Sequence, residues 1–347
     1  MYHGQSIGVV VPAFNEEKLI EYTLRSIPSF VDTIIVVDDC SSDRTNEIVK
    51  GLTAEFSRIV LLRHEKNSGV GTSISTGYIW CRDHNIDIAV VMAGDGQMDP
   101  NDLPNLLDPL VEDRADYAKG NRLVTGEAWK RIPHTRYIGN SILTFMTKIA
   151  SGYWHVTDSQ TGYTALNRRA LDLLPLEDIY PRYGMPNDLL VTLNIYNMRV
   201  IDVPVNPVYG IGEVSGIKIH RAVFSIGYLI ARLFLRRMFQ KYIIRDFHPL
   251  VLFYAFGFFL LALSVPLTLR LLAIYFTTNA IPNINALLIF FCVSIGFQSF
   301  LFAMLFDMEA NRDLKGTVAM KSAELRLRSP DVQDVPWNER SKQLINQ

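Results

Sequence analysis

IGVVVPAFNEE, residues 7–17, opens as a β-rich run and turns polar after Pro12. The change recurs along the first hundred residues: TIIVV (33–37) leads to DDCSSD, RIVLL (58–62) to HEKNSGVG, and IAVVM (88–92) to AGDGQMD. Helix-like stretches lie between these runs, near 16–29, 43–56 and 71–84. Alternation of this kind implies a doubly wound, Rossmann-like α/β sheet, mostly parallel, with helices on both faces. Ligands of such sheets bind beyond the carboxyl ends of the strands. Each end here is polar, glycine-containing or acidic, so a site is expected along that edge. Residues 113–212 read as mixed α and β and continue the same domain.

The chain has 347 residues and a net charge of −1, which selects no charged partner and gives no reason to expect nucleic acid. Hydrophobic residues make up 49 % of it, with the excess near the C-terminus. LVLFYAFGFFLLALSVPLTL (250–269) and ALLIFFCVSIGFQSFLFAMLF (286–306) carry no charge. Each is long enough to cross a bilayer, and the short loop between them predicts a transmembrane hairpin. Arg232, Arg236, Arg237, Lys241 and Arg245 precede the first run; Arg312, Lys315, Lys321, Arg326 and Arg328 follow the second. The connecting TTNAIPNIN has no charge, so the positive-inside rule places both termini in the cytoplasm. Residues 218–245 carry apolar side chains at helical spacing beside these cations and predict an interfacial amphipathic helix. No signal peptide is expected, since a strand pattern begins by Ile7. Cys40, Cys81 and Cys292 form no metal-spaced pair and suit a reducing compartment.

The strand ends suggest chemistry. Asp39 can accept hydrogen bonds from the N–H groups of a nucleobase, and Glu16 from base or ribose donors. Ser42 or Asp43 can equally cap the helix after them, and Asn15 the helix at Glu16. Capping does not require two adjacent aspartates, so Asp39 reads as functional and Asp43 as a cap. Small residues in NSGVGTSISTGY (67–78) let a helix start approach a phosphate or sugar. In AGDGQMDP (93–100), Asp95 and Gln97 offer hard oxygen donors, while Asp99 before Pro100 reads as a helix N-cap.

VVPAFNEE followed by IIVVDDCSSDRT resembles family-two glycosyltransferases with the GT-A fold, which show P-x-[FY]-N-E and then V-D-D-x-S-x-D-x-T. AGDGQMDP resembles the D-x-D region of the polyisoprenyl-phosphate branch, with Ala93 where the first aspartate stands. Val70 occupies a position that is usually basic. YAKGNRL (117–123), the segment 131–152, VTDSQTGYTALNRRAL (156–171) and the segment 182–210 match further motifs in order, so the resemblance spans about 5–220.

The resemblance implies a nucleotide-sugar site at Pro12, Phe14, Glu16, Val37, Asp39, Asn67, Gly71, Asp95 and Gln97. It implies Mg²⁺ or Mn²⁺ held by Asp95 and Gln97, and acceptor phosphate held by Arg122, Arg131, Arg136 and Asn140. Asp95, Asp188 and Arg122 are the expected catalytic residues; Asp158, Gln160 and Thr161 would shape the sugar pocket, with Lys218 reaching phosphate. The expected organisation is a GT-A catalytic domain (1–217), a juxtamembrane helix (218–247), two spans (about 249–272 and 286–306) and a cytoplasmic tail (307–347). The expected partners are a nucleotide sugar, a polyisoprenyl phosphate, the membrane and, through the spans, a second copy. Two rivals stand beside this inverting hexosyltransferase. One transfers to a diacylglycerol-type hydroxyl with Asp188 as base. The other is a scaffold that has lost catalysis, motivated by Ala93 and Val70.

Overall fold

The computed structural model describes residues 1–123, 134–206 and 219–317, without the side chains of 134–138, 140 and 219–224. Seven strands form one sheet: β1 (Ile7–Ala13), β2 (Thr33–Asp38), β3 (Ile59–Arg63), β4 (Ile88–Val91), β5 (Tyr117–Asn121), β6 (Thr164–Asn167) and β7 (Val200–Pro204). Their order is β3-β2-β1-β4-β6-β5-β7. Pairing is parallel except along β6, which runs antiparallel to both β4 and β5. Every residue of β1 is buried, as a continuous apolar run covered on both faces requires. Val9 and Val11 pack into one core with Leu24, Val49 and Leu106; Val10 packs into the other with Ile74, Tyr78 and Leu190. Burying each such aliphatic side chain contributes about 1.5–3 kcal/mol.

The covering helices are α1 (Ile20–Ser26), α2 (Thr45–Glu55), α3 (Val70–Asp83), α4 (Leu103–Val111), α5 (His134–Ser151), α6 (Arg168–Leu173) and α7 (Met185–Ile195). The first starts later than the pattern suggested, at Ile20 rather than Glu16. Asn15 does not cap it: Asn15 Oδ1 accepts from Ser42 N (2.9 Å), while Asn15 N donates to Ser41 Oγ (3.0 Å). Asp43 accepts from Thr45 N at the start of α2 and from Glu17 N across the gap. The loops after β1 and β2 therefore brace each other. Asp99 accepts from Asn101 N (2.9 Å), the capping expected of it.

Asp102 ties the end of β7 to this edge, accepting from Asn206 N at 2.6 Å while almost fully buried. Burial, opposed by that N–H and reinforced by the Asp99 charge, pushes its carboxyl up to about 7. A folded-state pKa above the unfolded value of about 4 means that stability is lost as pH rises from about 4 to about 7. Asp102→Asn should flatten that slope. Melting temperatures of both proteins between these limits check it, and parallel curves would refute the assignment.

By contacts the chain divides into two units, Met1–Leu233 joined by the chain from Asp313, and Phe234–Arg312. The boundary falls inside helix α8 (Ile219–Phe239). In the second unit a π-helical turn (Gln240–Arg245) precedes α9 (Leu250–Thr278) and α10 (Asn283–Ala310). Both long helices exceed the predicted spans. Only 28 % and 22 % of their most apolar windows are buried, whereas a soluble core helix would be mostly covered. They are candidate membrane spans by length and composition.

Candidate functional site

The parallel strands bring the predicted donor-side residues to one edge. Pro12, next to last in β1, pairs with Val37 of β2, and Phe14 is 46 % exposed just beyond the strand. Val37 is fully buried in the core that holds Tyr78, so its side chain faces away from solvent. Asn67 is exposed in the loop after β3. Backbones at Asn15 and Cys40 adopt left-handed φ of 58° and 63°, conformations that side-chain-bearing residues adopt at a cost of roughly 1–2 kcal/mol.

Asp39 is almost fully buried, and its carboxylate organises the neighbouring loop. Oδ1 accepts from Ser68 N (2.8 Å) and meets His64 Nδ1 (2.8 Å), while Oδ2 accepts from Gly69 N (2.8 Å). His64 Nε2 continues to Thr76 Oγ1 at 3.0 Å. Asp38 is committed as well, to Ser41 N, Asn46 Nδ2 and Arg63 Nε. Asp39 thus holds the loop into α3 and Asp38 the loop into α2, roles that the two adjacent letters did not disclose.

Gly69 and Gly71 allow a close approach, and the group that approaches is protein backbone. A Cβ on Gly71 would lie 2.1 Å from Tyr180 O, and one on Gly69 2.4 Å from Pro181 O. Gly69 also has φ +97°. Gly71 N donates to Pro181 O at 2.9 Å. Asp188, 3 % exposed in the first turn of α7, accepts from Tyr180 N at 2.7 Å and fixes the same turn.

At the end of β4, Asp95 and Gln97 are half-buried, and Asp95 Oδ1 accepts from Gln97 N at 3.0 Å. The loop rests on β1: Gly94 N donates to Pro12 O (3.3 Å), and Ala93 N contacts Met98 Sδ (3.2 Å). Glu16 belongs to the same electrostatic neighbourhood. Burial first, then the charges of Asp95 and Asp43, push its carboxyl up to about 7. Among the described residues, no three His, Cys, Asp or Glu side chains gather to hold a metal. The arrangement fits a hard cation only if a ligand supplies further oxygens; Asp95 and Gln97 offer one carboxylate and one amide oxygen.

Of the residues expected to hold an acceptor, Arg122 forks onto Asp158, with Nε–Oδ2 at 2.8 Å and Nη2–Oδ1 at 3.1 Å. Burial alone would raise the Asp158 carboxyl, but the Arg122 hydrogen bonds and charge, with the Lys119 charge, hold it below its ordinary value. Gln160 Nε2 donates to Ser159 Oγ and to Asn187 Oδ1 (3.0 Å), joining the 158–161 loop to α7. Thr161 O accepts from Lys119 Nζ at 2.7 Å. Arg131 and Lys218 lie outside the described residues, as do the side chains of Arg136 and Asn140. Sequence reasoning missed His64, Lys119, Asn187 and Asp202. Only Lys119 carried a signal, as a cation inside the otherwise uncharged strand YAKGN.

The chain is similar to known proteins of one family. Residues 8–174 match glycosyl transferase family 2. The UDP-N-acetylglucosamine–dolichyl-phosphate N-acetylglucosaminyltransferase of Methanococcus voltae is 32 % identical, the alignment covering 58 % of this chain and 86 % of that protein. The undecaprenyl-phosphate mannosyltransferase of Micrococcus luteus is 27 % identical, over 62 % of this chain and 90 % of that one. Glucosyl-3-phosphoglycerate synthase from Mycobacterium tuberculosis, solved with Mn²⁺, UDP and phosphoglyceric acid, aligns with 67 % of this chain and 78 % of its own. The TM-score is 0.50 at 20 % identity, a likeness of fold. With its mixed, mostly parallel GT-A sheet and its relatives named for polyisoprenyl-phosphate acceptors, the chain belongs to glycosyl transferase family 2.

Proposed function

We propose that this glycosyltransferase moves a hexose, with inversion, from a UDP- or GDP-linked sugar to a polyisoprenyl phosphate, with its catalytic domain and both termini on the cytoplasmic side. The observation that carries the reading is the Asp95–Gln97 loop at the strand-end edge, in a chain that also bears two apolar helices of 29 and 28 residues. Both relatives described above are named for polyisoprenyl-phosphate acceptors.

In this reading Pro12, Phe14, Glu16 and Asn67 line the nucleotide, and Asp39 shapes its pocket through the Ser68–Gly69 backbone. Gly71 and Asp188 act by fixing the Tyr180–Pro181 turn beside it. Mg²⁺ or Mn²⁺, held by Asp95 and Gln97, would neutralise charge on the departing diphosphate. Arg122, Arg131, Arg136 and Asn140 are assigned to the acceptor phosphate, which suits the directed donors of arginine. That phosphate is already anionic near neutral pH, so Asp188 need not take a proton; positioning carries the reaction.

Two experiments test this. In detergent, a radiolabelled sugar donor should label polyisoprenyl phosphate and leave the corresponding polyisoprenol unlabelled. Arg136→Gln should raise the apparent KM for the lipid far more than that for the donor. Efficient transfer to a neutral alcohol or diacylglycerol, with Arg136→Gln unimpaired, would refute the acceptor assignment and make Asp188 the residue to test as a base. Separately, Ala93→Asp should keep activity and tighten Mn²⁺ binding, because it adds an anionic oxygen next to the loop. An unchanged metal titration would show that position 93 does not face the cation.

A further inference from the structure

Lys119 sits in the middle of β5 and is fully buried. Strand register sets it beside Asp202 of β7, so both side chains leave the same face of the sheet. Asp202 Oδ2 accepts from Asn121 Nδ2 (3.0 Å) and Thr157 N (2.8 Å), while its Oδ1 is buried with no partner among the described residues. Asp158, 4 % exposed, is forked by Arg122. Two cations and two carboxylates therefore share one region: Lys119 and Asp158 are buried, Asp202 is half-buried, and the Arg122 side chain is 28 % exposed.

Arg122 spends its Nε–Nη2 edge on Asp158, so turning that edge to a phosphate gives up the carboxylate. Asp158 would then be left buried and unpaired, a costly state unless another cation replaces the first. Lys119 is placed for that exchange. Its Nζ donates to Thr161 O at 2.7 Å, in the same 158–161 loop as Asp158, which commits one of its three N–H donors. We propose that Lys119 is a positioning residue for acceptor binding, taking over the charge of Asp158 when Arg122 turns to the phosphate of the incoming lipid. The inference rests on the reading of Arg122 as a phosphate ligand. It requires a protonated Lys119. Burial lowers that ammonium to about 8, with Asp158 and Asp202 opposing and Arg122 adding to the shift. Acceptor affinity should therefore fall above about pH 8.

The test uses the full chain, with Lys119→Met and Lys119→Arg beside the wild type. Binding is measured to phosphatidylcholine nanodiscs containing undecaprenyl phosphate or undecaprenol, and to UDP and GDP with Mn²⁺. Lys119→Met should weaken binding to the phosphate-bearing discs by about tenfold or more and leave nucleotide binding unchanged. Lys119→Arg should restore lipid binding and remove the alkaline loss seen in the wild type, because its guanidinium stays charged. Unchanged lipid binding in Lys119→Met, or equal loss of lipid and nucleotide, would overturn the proposal. If Lys119→Met does not fold, a wild-type-like alkaline loss in Lys119→Arg would overturn it. A wild type that cannot tell undecaprenyl phosphate from undecaprenol at any pH would remove the acceptor reading itself, and this inference with it.

Discussion

Asp95→Asn is expected to lower turnover at saturating donor by at least about a hundredfold while the protein keeps its fold. The substitution is nearly isosteric. An asparagine Oδ1 can still accept the Gln97 N–H that the aspartate accepts at 3.0 Å, so the loop should keep its shape. What disappears is the negative charge at the end of β4. The companion amide, Gln97, cannot replace it, and Ala93 offers no oxygen at the position two residues before. A second readout is independent of turnover. The Asp95 charge helps hold the Glu16 carboxyl up at about 7, so its removal should lower the Glu16 pKa. Melting temperature, Mn²⁺ titration and radiolabel transfer would be measured together. Wild-type rates at saturating donor would remove Asp95 from the cation assignment, and a collapsed melting curve would show that the carboxylate serves the fold instead.

Removing either partner of the Arg237–Asp307 pair should destabilise the second unit by about 3–5 kcal/mol. Both side chains are fully buried, and two hydrogen bonds of 2.8 Å join them. Tyr242 OH donates to Asp307 Oδ1 at 2.7 Å, Lys241 Nζ to Asn311 Oδ1 at 2.8 Å, and Asn311 Nδ2 to Tyr242 OH at 2.8 Å. The network ties the end of α8 and its π-helical turn to the last turns of α10. Arg237→Met leaves a buried carboxylate, and Asp307→Leu a buried guanidinium. The double substitution leaves neither and should recover most of the loss. Thermal or denaturant unfolding in detergent measures all three. A single substitution costing less than about 1 kcal/mol would class the pair with weak surface bridges. The network also revises the charge count before the first span. Arg237 and Lys241 are buried among polar partners, so they are spent inside the protein rather than at a lipid surface.

Sequence alone determined the features that depend on neighbours along the chain. β-rich runs ending in polar turns are visible as local patterns, and β1 to β4 appear within about two residues of their expected bounds. The apolar stretches that became α9 and α10 are visible for the same reason, because a segment that must satisfy its own backbone in an apolar medium writes its length into the sequence. The strand order, and the reversal of β6 between β4 and β5, came only with the tertiary structure. So did the partners of the candidate site. Arg122 and Asp158 lie 36 residues apart in the chain, and Arg237 and Asp307 lie 70 apart. Asp39 was legible as a carboxylate at a strand end, but not as one engaged by Ser68, Gly69 and His64. Gly71 was legible as a point of close approach, but not as the seat of the Tyr180–Pro181 backbone. A charge or a missing side chain states only what it can do locally. Which group it meets is set by packing between segments far apart in the chain, where burial makes an unpaired polar group costly and so selects its partner.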